Sequence, residues 1–112
     1  MKILIAGAGE VGFHLAKLLS YEAHDISLLD TDKERLSYSD KHLDIRTVEG
    51  DATSIAILES ANIAETDLLI SVTSLQSINI TVCSLGKQLG AKRTIARVTN
   101  QEYIDENAKV SF

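Results

Sequence analysis

The sequence predicts an α/β fold, a doubly wound parallel sheet with helices on both faces. Three observations predict it. Short apolar runs alternate along the chain with segments of helical spacing, five of each, and that alternation calls for parallel strands joined by crossover helices. The first run, Ile3 to Ala6, leads directly into Gly7, Gly9 and Gly12, spaced G-x-G-x-x-G. The second run, Ile26 to Leu29, ends in Asp30, 18 positions after Gly12. Strand, tight turn, helix, strand and acid in that order form the dinucleotide-binding βαβ pattern, so the expected architecture is Rossmann-type. The doubly wound order has six strands and five are legible, so the sixth is expected to be lacking or truncated.

Each position in the first unit has its own physical reason. Gly7 permits the tight turn off the strand, where a side chain could force a disallowed φ. Gly9 has no Cβ, so the backbone can approach a pyrophosphate closely, and Gly12 lets the helix lie close to the strand. Ala8, Glu10 and Val11 complete the loop. The free N–H groups of the helix's first turn then face the phosphates, and the helix dipole favours their charge. Asp30, at the carboxyl end of the second strand, can accept both hydrogen bonds of a ribose diol. It would repel a 2′-phosphate, which favours NAD-type over NADP-type ligands. The same pattern also suits S-adenosylmethionine enzymes, which share the ribose without the pyrophosphate.

The remaining elements follow in order. Glu10 to about Ser20 reads as the first helix, with Val11, Leu15, Leu18 and Leu19 on its apolar face. Thr31-Asp32-Lys33-Glu34 has capping-box form, so a short polar helix should begin there and run to about Ser39. Asp44 to Val48 alternates and reads as a third strand near the sheet edge. Thr53 or Ser54 can cap a helix from Ile55 to Ala61. Leu68 to Val72 is nearly all apolar, as suits a parallel strand buried on both faces. Ile78, Val82, Leu85 and Leu89 fall on one helical face, and Gly90 closes that helix with Lys87 near its negative end. Thr94 to Val98 is a fifth strand containing Arg97. Asn100 can cap a last helix, with Glu102 in its first turn. No repeat or low-complexity segment interrupts this order.

Composition bounds the class. With 112 residues and 45% apolar content the chain is expected to form one globular domain over residues 1–112. Net charge is −5 and the 11 Lys and Arg are scattered, which argues against a nucleic-acid surface. No apolar run approaches 20 residues and no signal-peptide pattern is present. A lone cysteine, Cys83, excludes an intramolecular disulfide and fits a reducing cytosol. Met1-Lys2 leads straight into the first strand, so a native N-terminus is expected.

Ligands of an open parallel sheet lie outside the carboxyl ends of the strands. The loops there are Gly7–Gly12, Asp30–Thr31, Gly50–Ala52, Thr73–Ser74 and Val98–Asn100. Asp51 either reaches an adenine or ribose edge or braces the turn at Thr53–Ser54. Thr73 and Ser74 either leave room for a ribose or cap the next helix. Arg97 faces a phosphate or an acid of a neighbouring element, since it is costly to bury unpaired. No catalytic set is legible. His14, His24 and His42 are isolated and read as surface residues, Cys83 reads as a packing residue, and no metal spacing is present.

Taken together, Met1 to Gly12, Leu29-Asp30, Gly50-Asp51-Ala52-Thr53, Asp67 to Thr73 and Arg93 to Val98 resemble the TrkA N-terminal domain, the RCK or KTN nucleotide-binding domain of potassium transport regulators. The resemblance covers essentially the whole chain. It implies a cytosolic regulatory subunit of a bacterial Trk potassium uptake system, peripheral at the inner face of the membrane through a channel subunit. It implies NAD or NADH as ligand, with adenine nucleotides as alternatives. It further implies a homo-oligomer, dimer or ring, and a chain that is one piece of a longer regulator. By position, Gly7, Gly9 and Gly12 would hold the phosphates and Asp30 the ribose. Asp51 and Ala52 would meet the adenine and Thr73 the central ribose region, with Arg97 a further contact; Thr31, next to Asp30 at the strand end, is counted among the cofactor-binding residues. Some members place a basic residue where Glu10 stands, and Glu10 would not help a terminal phosphate. The expected function is a binding module rather than an enzyme. The alternatives are an oxidoreductase fragment without its substrate domain and a methyltransferase-like domain.

Overall fold

The computed structural model describes residues 1–99. Five strands form one sheet: β1 (Lys2–Ala6), β2 (Asp25–Asp30), β3 (Arg46–Glu49), β4 (Leu68–Ser71) and β5 (Arg93–Ala96). Four helices join them: α1 (Glu10–Ser20), α2 (Lys33–His42), α3 (Ile55–Ser60) and α4 (Gln76–Gln88), with a 3₁₀ turn at Ile63–Glu65. The order is β3-β2-β1-β4-β5, and every pairing is parallel. This matches the doubly wound order through its fifth strand. The expected last helix, at Asn100 and Glu102, and the question of a sixth strand lie outside the described residues.

The sheet separates two apolar layers. Ile3, Ile5, Ile26, Leu28, Ile70 and Val72 face α1 and α2, packing with Ala16 and Leu36. Leu4, Ala6, Leu29 and Leu69 face the other way, onto Leu58, Ile63, Val82 and Ala91. β1 contributes to both layers because it is central, and Ile3, Leu4, Ile5 and Ala6 are each at most 2% exposed. Its unbroken apolar run follows from that double burial.

Three local expectations change. In α1 the buried face is Gly12 and Ala16, flanked by half-buried Leu15 and Leu19, while Val11 and Leu18 are exposed. The pattern 12, 15, 16, 19 is one helical stripe, and Leu18 falls outside it. The cap of α2 is Asp32, not Thr31: its Oδ1 accepts the N–H groups of Glu34 and Arg35 at 2.9 and 3.2 Å. The helix also runs on to His42. In α4 the buried residues are Asn79, Val82, Cys83 and Gly86, and the expected Ile78, Leu85 and Leu89 pack half-buried beside them. Gly90 closes α4 as expected, with φ +117°. The Gly90 N–H reaches the Lys87 carbonyl and the Ala91 N–H the Gly86 carbonyl, the paired bonds of a Schellman motif.

The strand ends are in step at the carboxyl edge. Ala6 pairs with Leu29 and Ser71, and Ser71 pairs with Ala96. One further rung ties each departing loop to its neighbour. The N–H groups of Gly7, Gly50, Val72 and Arg97 reach the carbonyls of Leu29, Asp30, Ala6 and Ser71 at 2.8 to 3.0 Å. Arg97 therefore stands just beyond β5 rather than inside it.

Candidate functional site

A cleft of about 450 Å³ opens along this edge, within the size range of small-molecule sites. Gly7, Gly9, Glu10 and Val11 line it from the glycine loop, and Asp30 and Thr31 from the end of β2. Asp51 and Ala52 line it after β3, Thr73 after β4 and Arg97 after β5. Of the expected residues, Ala8 and Gly12 are not part of its lining, and both are buried.

The glycine loop is built by close approach. Gly7 has φ +109°, and a Cβ there would stand 3.0 Å from the Thr73 nitrogen and the Val72 carbonyl carbon. A Cβ on Gly12 would overlap the Gly7 carbonyl oxygen, so the helix can leave this strand only through glycine. At Gly9 a Cβ would meet a single neighbour within 4 Å, the Arg35 Nη1 at 3.7 Å. The space beside Gly9 is thus open, as close backbone approach to a phosphate requires. Gly9 is also the N-cap of α1 and supplies no side-chain bond, so the first-turn N–H groups are left for a ligand or water.

Asp30 is tied into the same loop. Its Oδ2 accepts the Ala8 N–H at 2.7 Å and its Oδ1 the Asp32 N–H at 2.8 Å. Each carboxylate oxygen retains a further acceptor site, so bonding to a ribose diol remains open. Its side chain is 11% exposed, and Arg35 Nη1 stands 4.0 Å from Oδ2. The guanidinium also lies 3.6 Å from Asp32. Sequence reasoning passed over Arg35, although an arginine in the first turn after the acid was a usable signal. Asp51 is exposed and braces its own turn: the Thr53 N–H and hydroxyl bond its Oδ1 at 2.9 and 2.7 Å. Those two bonds hold its carboxyl below the usual range. Its two expected readings are compatible, because the braced carboxylate still lines the cleft.

The β4 side is organised by a residue that sequence reasoning missed. Asn79, on α4, is buried and binds both the Thr73 backbone and the Arg97 carbonyl. The signal was a lone amide on the stripe shared with Val82, Cys83 and Gly86. Thr73 does not cap α4, whose N-cap is Leu75; its hydroxyl turns to Asn79 at 2.7 Å. Arg97 is exposed, so the burial cost argued from the sequence does not arise, and it has no ion-pair partner among the described residues.

The other titratable candidates sit away from the cleft. His14 and His42 are exposed, and His42 stacks on Tyr38. His24 is half-buried rather than fully at the surface, with Nδ1 3.2 Å from the Met1 amino nitrogen. Cys83 is buried, and burial pushes its thiol up to about 11. Among the described residues no group of three His, Cys, Asp or Glu is placed to hold a metal ion. None of the described helices is long and apolar enough to cross a membrane.

Residues 3–111 match the family model described as the TrkA-N domain. The Trk system potassium uptake protein TrkA of Haemophilus influenzae is 40% identical over 111 residues, which cover 98% of this chain and 24% of that protein. The chain spans about a quarter of the length of the curated relatives it matches first. Among solved structures, the NAD(P)-binding domain of an exopolyphosphatase-related protein from Archaeoglobus fulgidus superposes with TM-score 0.81 at 16% identity, covering 91% of this chain and 76% of that one. The Shewanella denitrificans Kef C-terminal domain in its AMP-bound form gives 0.78 at 21% identity, covering 97% and 69%. At these identities the likeness is one of fold.

Proposed function

The chain belongs to the TrkA-N domain family, and we propose that it is the NAD(H)-binding module of a regulator of a Trk-type potassium uptake system. The observation that carries this reading is the convergence on one cleft of the open glycine loop, the Asp30 carboxylate and the uncapped start of α1. Asp30 would accept the ribose hydroxyls while its bonds to Ala8 and Asp32 hold it still. The N–H groups of α1 would take the phosphates. Glu10 at the cleft wall disfavours a further terminal phosphate, which favours a dinucleotide over a triphosphate. The Kef C-terminal domain is AMP-bound, which makes AMP the mononucleotide to compare.

In this role the ligand is not consumed. It stabilises whichever arrangement of the domain binds it better, and a membrane channel subunit reads the shift. A tenfold preference for one arrangement moves that equilibrium by about 1.4 kcal/mol. The domain would act in the cytoplasm, as a dimer or ring of copies, at the membrane through its partner.

Asp30→Ala tests the site. Loss of a charge-assisted pair of hydrogen bonds should weaken NADH binding by about 10-fold or more, with the far-ultraviolet circular dichroism retained. Unchanged NADH affinity in this variant would remove the ribose assignment.

A further inference from the structure

We infer that Asn79 is a positioning residue that sets the β4–β5 half of the cleft and so its preference for a dinucleotide over a mononucleotide. The inference rests on the nucleotide-binding reading above and goes beyond it in naming what discriminates ligand length.

Asn79 is 1% exposed, and its amide is fully engaged. Its Oδ1 accepts from the Thr73 N–H at 2.9 Å, the Thr73 hydroxyl at 2.7 Å and the Ser71 hydroxyl at 3.0 Å. Its Nδ2 donates to the Thr73 and Arg97 carbonyls, each at 3.0 Å. One side chain therefore fixes two loops, those leaving β4 and β5, and each loop contributes a residue to the cleft wall. A buried amide in this state is expensive to disturb, because any loop movement strands one of its partners. The neighbouring turn of α4 adds a second hold, since Gln76 Oε1 accepts the Thr99 N–H at 3.0 Å and its hydroxyl at 3.1 Å.

Sheet order then divides the cleft. Asp30 and Asp51 follow β2 and β3 on one side of β1, and Thr73 and Arg97 follow β4 and β5 on the other. A mononucleotide with its ribose at Asp30 and its phosphate at the glycine loop needs only the first side. A dinucleotide must continue past the glycine loop onto Thr73 and Arg97. Only the second ligand meets the loops that Asn79 holds.

The experiment is a calorimetric titration of the full chain, and of two variants, with NADH and with AMP. Asn79→Asp keeps the size and the acceptor but turns an oxygen toward the Thr73 and Arg97 carbonyls. It should raise the Kd for NADH by about tenfold or more and leave that for AMP within about twofold. Ser71→Ala removes one donor to Asn79 and nothing from the cleft wall. It should shift NADH alone, in the same direction and by less, and it decides the matter where Asn79→Asp does not fold. A merely structural amide would weaken both ligands alike. An unchanged NADH to AMP ratio in the variant that folds therefore overturns the inference while leaving the nucleotide-binding reading intact. Failure of the unaltered chain to bind NADH overturns both.

Discussion

At the scale of the residue, Asp67 joins three parts of the chain through one carboxylate. Its Oδ2 accepts the Lys2 N–H at 2.8 Å, and Lys92 Nζ stands 3.0 Å from Oδ1. The Lys2 backbone bond, then Lys92, holds this carboxyl below its ordinary value of 3.8. The unfolded chain therefore binds a proton before the folded one does. The stabilisation is present above pH 3.8 and is lost as pH falls through the lower folded value. In Asp67→Asn, acid titration followed by circular dichroism should give a shallower fall in stability below that pH than in the unaltered chain. An identical slope would show that the carboxylate has no such linkage. Residues of this kind were hard to see in the sequence, because their partners are set by tertiary contact. Gly7, Gly12 and Asp30 were legible because turn, close packing and strand end fix them locally. Asn79 and Arg35 were not, since one polar side chain in a helix reads the same whether it faces the core or water.

At the scale of the element, helix starts and faces were read less well than helix existence. Thr31 and Asp32 are both good caps, and the sequence offered Glu34 as the partner for Thr31. Asp32 prevails because its carboxylate meets both the Glu34 and Arg35 N–H groups, while Asp30 holds the Asp32 N–H. The end of α4 was legible because glycine at positive φ is a strong local signal. α2 carries one inconsistency: Ser39 faces inward at 1% exposure, and its hydroxyl has no hydrogen-bond partner among the described residues. Removing an unpaired buried hydroxyl, with alanine's better helix propensity, should stabilise the chain by about 1 kcal/mol. Ser39→Ala should accordingly raise the urea midpoint at unchanged slope. A lower midpoint would mean that the hydroxyl has a partner in solution.

At the scale of the whole molecule, the sheet and the cleft along its carboxyl edge were legible because apolar runs, glycines and a strand-terminal acid agree on one topology. β1 is buried on both faces and sits between β2 and β4, as the first strand of a doubly wound sheet must. That order brings loops distant in sequence, at Gly9, Asp51, Thr73 and Arg97, to one cleft. The division of that cleft into an acid side and an Asn79-held side was not legible, because it depends on which α4 stripe packs on β4. Under the proposed function this edge binds a dinucleotide and does not transform it. One calorimetric titration of the unaltered chain with NAD, NADH, ATP and S-adenosylmethionine, at one salt concentration, tests it most directly. Saturable binding of NAD or NADH, with NADH absorbance constant and weaker heats from ATP and S-adenosylmethionine, is the expected result. Tighter binding of S-adenosylmethionine, steady consumption of NADH, or no binding by any of the four would contradict it.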